Sequence, residues 1–211
     1  MAEATTTRRG GPCAPRTAAL AAITALAATM AVGCSSAPDT GAPLSGGGAK
    51  TVPVAAIAPS VPDRITIPGI GVDSTLGTVG LDSQGVMETP PMDKPMEADW
   101  YREGPSPGEK GAAAIVGHMD TPDTEKAVFY HLQELKKNEE IRVHREDGTT
   151  AVFSVDAVET FKKDSFPTDK VYSRTSTSEL RLITCGGSLN SHRHWDSNVV
   201  VFAHLKGEAG A

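Results

Sequence analysis

Short apolar runs alternate with turn-forming residues along most of the chain, from about residue 63 to residue 205. Runs of about four to eight apolar residues bounded by Gly, Pro, Asn or Asp are typical of buried strands. The predicted strands span residues 64–67, 85–88, 112–116, 140–144, 151–155, 180–184 and 198–203. About seven or eight short strands with little helix favour an all-β sandwich or barrel.

A turn signal and one helical segment add to this pattern. Residues 145–148 place an Asp-Gly pair between two predicted strands, which is typical of a β-hairpin. Val128, Leu132 and Leu135 stand at helical spacing, so residues 128–135 are the best helix candidate. The sequence shows no internal repeat, and about 140 residues are enough for the core of one domain.

The first 34 residues have the pattern of an export signal. Arg8, Arg9 and Arg16 precede an Ala-rich apolar stretch over residues 18–32. This stretch is short for a full membrane span, which needs roughly 20 apolar residues. We expect the positive end to stay inside the cell and the rest of the chain to face outward.

Cys34 closes this segment in a context that is similar to a bacterial lipobox, where the cysteine becomes the lipidated first residue after cleavage. Ala31 occupies the position at which that pattern prefers Leu. An uncleaved signal anchor with an incidental cysteine is an equal alternative. A covalent lipid would tether the protein to the membrane, whereas an uncleaved segment would span it.

Residues 35–62 are rich in Gly, Pro, Ala and Ser, with three consecutive glycines at 46–48. Such a composition cannot bury a core and predicts a flexible stalk. The predicted organisation is therefore a signal or anchor at 1–34, the stalk at 35–62, a folded domain at 63–206 and a short tail at 207–211.

Composition and charge exclude some classes of function. The net charge of -6 leaves no electrostatic footprint for nucleic-acid binding. The three cysteines, Cys13, Cys34 and Cys185, are an odd number, which indicates a free reactive thiol if the protein is exported. The CxxC and HExxH spacings of common redox and zinc sites are absent.

Cys185 follows the apolar pair Leu182-Ile183 and precedes Gly186 and Gly187. Because glycine permits backbone angles that other residues resist, we expect the strand to end sharply there. A thiol beside a loop with little side-chain bulk suits a nucleophile that meets an extended peptide. The alternative is a buried cysteine that packs as a small apolar residue.

His118 and Arg193 are the candidates for partners of this thiol. His118 follows the apolar run that ends at Gly117, so it also stands at a predicted strand end, and strand ends can converge in a closed sheet. Arg193 lies in a polar loop before the last strand, where a guanidinium could stabilise an oxyanion. A structural histidine and a surface arginine are the alternatives.

The three side chains together form a set suited to acyl transfer. A thiolate attacks a carbonyl, an imidazole protonates the leaving amine, and a cation holds the negative charge that develops. The pKa of a free cysteine thiol is about 8.5, so a neighbouring positive charge is needed to favour the thiolate.

The folded part resembles the sortases, the cysteine transpeptidases of Gram-positive cell surfaces, and most of all the class F sortases of actinobacteria. The resemblance covers about residues 63–205. The motifs that carry it span residues 64–73, 116–121, 182–187 and 198–201. It implies the eight-stranded sortase β-barrel with one or two short helices.

The resemblance also implies an active site made of Cys185, His118 and Arg193, with Thr184 and Gly186 close to the oxyanion or the substrate. Arg181 stands where the family pattern has a first Thr. The implied substrate is a surface protein that bears an LPXTG-like sorting signal, cleaved between Thr and Gly through an acyl-thioester. An amine of peptidoglycan or of a pilin, or water, would release the product. No cofactor is implied.

Two other functions remain open at this level. Cys185, His118, His192 and His194 could supply the ligands of a zinc site. A surface lipoprotein that binds a ligand without catalysis is the second alternative. A different thiol transpeptidase acting on peptidoglycan is disfavoured, since such enzymes place the cysteine in a Ser-x-Gly-Cys setting that this chain lacks.

Overall fold

Eight strands close into a barrel in the computed structural model, which describes residues 54–192 and 194–210. The strands are β1 (Pro62–Ile67), β2 (Val72–Val79), β3 (Ala98–Tyr101), β4 (Gly111–Gly117), β5 (Glu140–Arg145), β6 (Thr150–Lys162), β7 (Ser178–Leu189) and β8 (Trp195–Ala209). Helix is limited to α1 (Thr168–Tyr172) and three 3-10 turns at Pro68–Ile70, Leu132–Glu134 and Lys163–Ser165 within these residues. The predicted all-β fold and the implied eight-stranded barrel are confirmed.

The strand order around the barrel is β1-β2-β3-β4-β7-β8-β6-β5, with β5 pairing back to β1. The β2–β3 and β4–β7 pairs are parallel and the other pairs are antiparallel. Since a parallel pair needs a long crossover, β4 and β7 are joined through β5 and β6. The carboxyl ends of β4 and β7 therefore meet at one end of the barrel.

The core fills the barrel and continues on one outer face. Inward-pointing side chains from every strand form the main cluster, which includes Ile115 of β4 and Leu182 of β7. A second group, here called the outer cluster, packs on the outside and consists of Val79, Val116, Val171, Ile183 and Val200. Strands β4 and β7 are therefore buried on both faces, which explains their continuous apolar runs.

Three sequence predictions need correction. Residues 85–88 form no strand, because Asp82 accepts the N–H groups of Gln84 and Val86 and folds this segment into a turn. Residues 128–135 contain only the 3-10 turn Leu132–Glu134. Val128, Leu132 and Leu135 all pack in the barrel core from this irregular segment. Strands β2 and β3 were not predicted, since β3 has four residues and β2 contains Gly77 in its interior.

The remaining predicted strands all overlap observed strands, although β6, β7 and β8 extend five to seven residues beyond the predicted ends. The hairpin between β5 and β6 is confirmed. Gly148 takes a positive φ of 81° in its turn, and its N–H donates to the carbonyl of Arg145 at 2.9 Å. The Asp-Gly pair therefore serves the turn that the sequence indicated.

Residues 54–61, the last part of the predicted stalk, lie against the barrel. The N–H of Ile57 donates to the carbonyl of Gly108 at 2.9 Å, and Arg145, which is buried, donates to the carbonyl of Ala58. This contact lies at the end of the barrel where β4 begins, away from the carboxyl ends of β4 and β7. The predicted signal at 1–34, including Cys34, and most of the predicted stalk lie outside the described residues.

No helix among the described residues is both long and apolar enough to cross a bilayer.

We expect Leu182→Ala to lower the free energy of unfolding by about 2–5 kcal/mol, because it removes a fully buried side chain from the barrel core. Leu189→Ala, in the same strand but at a side chain that is 46% exposed, should change it by less than about 0.5 kcal/mol. Chemical denaturation of both variants checks the pair. Equal losses would contradict the placement of β7 in the barrel wall.

Candidate active site

The register of β4 and β7 places His118 beside Cys185. The two strands run parallel with Val116 paired to Ile183, and extending this register by two residues, one past the end of β4 at Gly117, brings His118 level with Cys185. Val116 and Ile183 both belong to the outer cluster, and side chains alternate between faces along a strand. The imidazole and the thiol therefore share the outer face at the carboxyl ends of neighbouring strands.

Strand β7 does not end at Cys185, contrary to the sequence prediction. It continues to Leu189 and stays paired with β8, where Cys185 lies opposite Asn198. The pairing with β4, by contrast, stops at Ile183. The edge of β7 that faces β4 is thus released just before the cysteine, so backbone groups become available beside the thiol.

The two glycines after the cysteine serve packing against β8. A Cβ at Gly186 would lie 2.6 Å from Cγ2 of Val199, and Gly187 takes a positive φ of 85°. The register shifts between Gly186 and Leu189, which marks a β-bulge. The physical reason for the Gly-Gly pair is therefore this bulge and the close approach of β8.

His118 is held by the loop between β2 and β3. The residue is 8% exposed, and Nε2 lies 2.9 Å from the carbonyl oxygen of Pro90 in the β2–β3 loop, residues 80–97. Because a carbonyl oxygen only accepts, Nε2 carries the hydrogen of this bond. The nitrogen that is free of this bond is Nδ1. The contact therefore selects one tautomer of the neutral imidazole.

Lys163 lies next to Cys185 and was not predicted. Its Nζ is 3.5 Å from Sγ of Cys185, which is a half-buried free thiol. An ammonium group at this distance has the sign of charge that stabilises a thiolate. Lys163 belongs to the turn after β6, and its position in the sequence alone gives no signal for this contact.

Thr184 and Arg181 take other positions on β7. Thr184 is 5% exposed and pairs with Val199 of the barrel core, so its side chain faces the interior, away from the thiol. Arg181 faces outward, where it donates to Glu179 at 2.6 Å and lies over the ring of Phe202 at 4.6 Å. Only the backbone of Thr184 is placed to reach a group bound beside Cys185.

The loop between β7 and β8 borders the site. Arg193 lies outside the described residues, so its predicted place beside the thiol stays a prediction. Oδ1 of Asn190 accepts the N–H groups of His192 and His194 at 2.9 and 3.0 Å. Trp195 Nε1 donates to Oδ1 of Asp120 at 2.8 Å, which ties the start of β8 to the segment that follows His118.

Asp196 anchors the base of this loop. Its carboxylate accepts hydrogen bonds from Lys162 at 2.6 Å, from the hydroxyl of Ser197 at 2.7 Å and from the N–H of Ser188 at 3.1 Å. The bond from Lys162, followed by those from Ser197 and Ser188, holds the pKa of Asp196 well below its ordinary value. Lys162 thereby connects the end of β6 to the loop.

Two cavities open near this end and along the outer face. A cavity of about 600 Å³ lies between the turn after β6 and the β7–β8 loop, lined by Lys163, Asp164, Asn190, His194 and Trp195 among others. A larger groove of about 1380 Å³ lies beside the first residues of β4, below α1, and its lining includes Tyr101, Ala112, Thr168 and Tyr172. Neither lining includes Cys185 or His118.

Within residues 54–192 and 194–210 there is no group of three or more His, Cys, Asp or Glu side chains arranged to hold a metal ion. His192 and His194 therefore do not combine with Cys185 and His118 into the zinc site considered from the sequence.

A family model described as the sortase domain matches residues 65–206. This chain belongs to the sortase family. Sortases are cysteine transpeptidases, and this chain is an enzyme of that kind. A search of curated proteins found no match to the chain.

Solved sortase structures share the fold of this sortase. Sortase A of Listeria monocytogenes is 18% identical, with a TM-score of 0.54, over 73% of this chain and 92% of that chain. Sortase A of Corynebacterium diphtheriae is also 18% identical, with a TM-score of 0.54, over 71% and 61% of the two chains. A pilus-related sortase C of Group B Streptococcus is 20% identical, with a TM-score of 0.53, over 72% and 69%.

We expect Asp196→Asn to lower the melting temperature at pH 7, because the anchor of the β7–β8 loop is lost. A carboxylate whose pKa is depressed in the folded state stabilises that state above its ordinary pKa and loses the effect as pH falls through the folded value. The difference between wild type and variant should therefore shrink below about pH 4. Thermal melts from pH 7 to pH 2 check this.

Asp93→Asn, on the exposed β2–β3 loop, is the control for loss of a surface carboxylate. A melting-temperature difference for Asp196→Asn that stays constant across the whole pH range would contradict the electrostatic origin of the anchor.

Proposed function

We propose that this sortase is a cell-surface enzyme of the class F type that cleaves an LPXTG-like sorting signal between Thr and Gly. It transfers the new carboxyl end to an amine of peptidoglycan or of a pilin, or to water. The observation that carries the proposal is the shared register of His118 and Cys185 at the outer ends of β4 and β7. The motifs at residues 116–121 and 182–187 support the class.

Acylation begins with Cys185 as the thiolate and His118 as the imidazolium, and Sγ attacks the carbonyl carbon of the substrate Thr. A C–S bond forms, and the carbonyl oxygen takes up the negative charge. When the C–N bond breaks, the leaving amine of Gly accepts a proton from His118. The nitrogen available for this transfer is Nδ1, since Nε2 is bonded to the carbonyl of Pro90.

Two cations support this chemistry. Lys163, at 3.5 Å from Sγ, stabilises the thiolate before attack. Arg193 is proposed to hold the oxyanion, together with backbone N–H groups near Thr184 and Gly186. In the second half-reaction His118 takes a proton from the incoming amine or water, which attacks the thioester and releases Cys185.

An extended peptide fits the outer face of β4 and β7. The β7 edge beyond Ile183 is released from β4, so its backbone can pair with a bound strand. A separate groove of about 1380 Å³ lies on this face beside the first residues of β4 and combines Tyr101 and Tyr172 with the small side chain of Ala112. These features suit a substrate that lies extended and presents one carbonyl to the thiol.

We further propose that the enzyme is anchored by its N-terminal segment and works on the outer side of the membrane. The export signal at 1–34 and the Gly/Pro-rich stalk support this location. Residues 54–61 join the barrel at the end remote from Cys185. With the N-terminal segment joined at this end of the barrel, Cys185 lies at the opposite end, where sorting-signal proteins and the cell wall can reach it.

We expect the full chain to cleave fluorogenic LPXTG-type peptides. Cys185→Ala should abolish cleavage, because no thioester can form. His118→Ala should lower kcat/KM by about 10²–10⁴-fold through loss of proton transfer, and Arg193→Ala by about 10²–10³-fold through loss of oxyanion stabilisation. Steady-state kinetics of the four proteins checks this.

His131→Ala is the matched control, since His131 lies between β4 and β5, is only partly buried and pairs with Glu134. Undiminished cleavage by Cys185→Ala would remove the mechanism, whereas undiminished cleavage by Arg193→Ala would remove only that assignment. Loss of activity on treatment with a chelator would favour the zinc alternative.

We expect the chain to sediment with membranes when it is produced in a Gram-positive host. If the lipobox is used, labelled palmitate is incorporated by wild type and by the Cys185→Ala control but not by Cys34→Ala. If the segment is an uncleaved anchor, no form takes up label and the chain keeps its first residue. Recovery of the unprocessed chain in the soluble cytoplasmic fraction would contradict the surface location.

A further inference from the structure

Asp99 is a buried carboxylate next to the proposed catalytic pair. It lies in the middle of the short strand β3 and is 4% exposed. Its neighbours Ala98 and Trp100 belong to the barrel core, so Asp99 faces outward, on the same side as the outer cluster. Nothing in the barrel core requires a charged side chain at this position.

The register of β3 and β4 brings Asp99 close to His118. Asp99 is paired with Val116, and His118 follows two residues later, directly after the end of β4 at Gly117. Such diagonal neighbours have Cβ atoms separated by roughly 7–8 Å or less, within reach of a long or ring-shaped side chain.

The carboxylate of Asp99 is not compensated by hydrogen bonds. Its Oδ2 is buried and has no hydrogen-bond partner in the described part of the chain. Burial raises the pKa of Asp99, and the like charge of Glu97 raises it further, whereas His118 and Lys94 lower it. These are the charged groups that act on it, and His118 is the first among those that favour its ionised form.

The fold also keeps space for this carboxylate. Gly77 of β2 is paired with Asp99, and a Cβ at Gly77 would overlap Oδ1 of Asp99. A glycine inside a strand weakens that strand, so its presence here is explained by the side chain that it accommodates. Two neighbouring strands thus bear a cost in stability to hold one charge beside His118.

We propose that Asp99 is a positioning residue for His118, whose protonated imidazole it stabilises while the carbonyl of Pro90 holds the ring. This rests on the proposed role of His118 as the group that protonates the leaving amine. A carboxylate in a site of low dielectric interacts with an imidazolium more strongly than it would in water. The pair therefore keeps the proton on His118 until the C–N bond breaks.

The direct test is a pH titration of the histidine side chains in the full chain, labelled with ¹⁵N at histidine. In Asp99→Asn, His118 should bind its second proton about ten-fold less tightly than in wild type. Asp156→Asn is the matched control, because Asp156 pairs with His204 at 2.7 Å elsewhere on the barrel. That variant should alter the titration of His204 and leave His118 unchanged.

Stability and activity should separate in Asp99→Asn. Since a carboxyl whose folded pKa is raised destabilises the fold above its ordinary pKa, the variant should melt no lower than wild type at pH 7. Its kcat on an LPXTG-type peptide should fall at least about ten-fold with little change in KM. Gly77→Ala, which displaces the carboxylate without removing it, should show a smaller effect of the same sign on His118.

An unchanged His118 titration in both variants would overturn the proposal. A loss of stability in Asp99→Asn with no change in the His118 titration would also overturn it, since Asp99 would then be structural. Because the titration needs no substrate, a wild type that fails to cleave peptide would overturn the proposed function alone. The titration would still decide the coupling of Asp99 to His118.

Discussion

The parallel pairing of β4 and β7 is the constraint on which the site depends. It runs from Gly111 opposite Ser178 to Val116 opposite Ile183 and then stops. Because side chains alternate with a period of two, a slip of one residue in β7 would turn Cys185 toward the barrel interior. The register is protected by apolar side chains on both faces of these strands, so the stability of the wall and the juxtaposition of His118 and Cys185 have the same cause.

The outer cluster connects this register to the rest of the site. Val171 of α1 packs on Val116 and Ile183, so the connection between β6 and β7 is held down by apolar burial. The same connection carries Lys163 to the thiol. The position of the Lys163 charge beside Cys185 therefore depends on the packing of α1 against the barrel. The strands alone would not assemble the site.

The sequence predicted the parts of the molecule that depend on local pattern. The strands β4 and β7 could be predicted because burial on both faces leaves an uninterrupted apolar run. The β5–β6 turn could be predicted from its Asp-Gly pair, and Cys185 and His118 from their positions after the two apolar runs. The short strand β3 and the glycine-containing β2 carry no such signal. Gly186 and Gly187 led to the wrong prediction that β7 ends at Cys185, because glycine is favoured both at a β-bulge and at a strand end. Lys163 and Asp99 are brought to the site only by tertiary contacts.

The fold buries five polar side-chain atoms without partners among the described residues, on β3, β5 and β7. Oδ2 of Asp99 lies beside the proposed catalytic pair, whereas Oγ1 of Thr184 lies on β7 and faces the barrel interior. A barrel optimised for stability alone would carry apolar side chains at both positions, since an uncompensated buried group costs free energy. Natural folds keep such groups where function uses them. The unfavourable burial of Asp99 thus supports, independently of any motif, its proposed role beside His118.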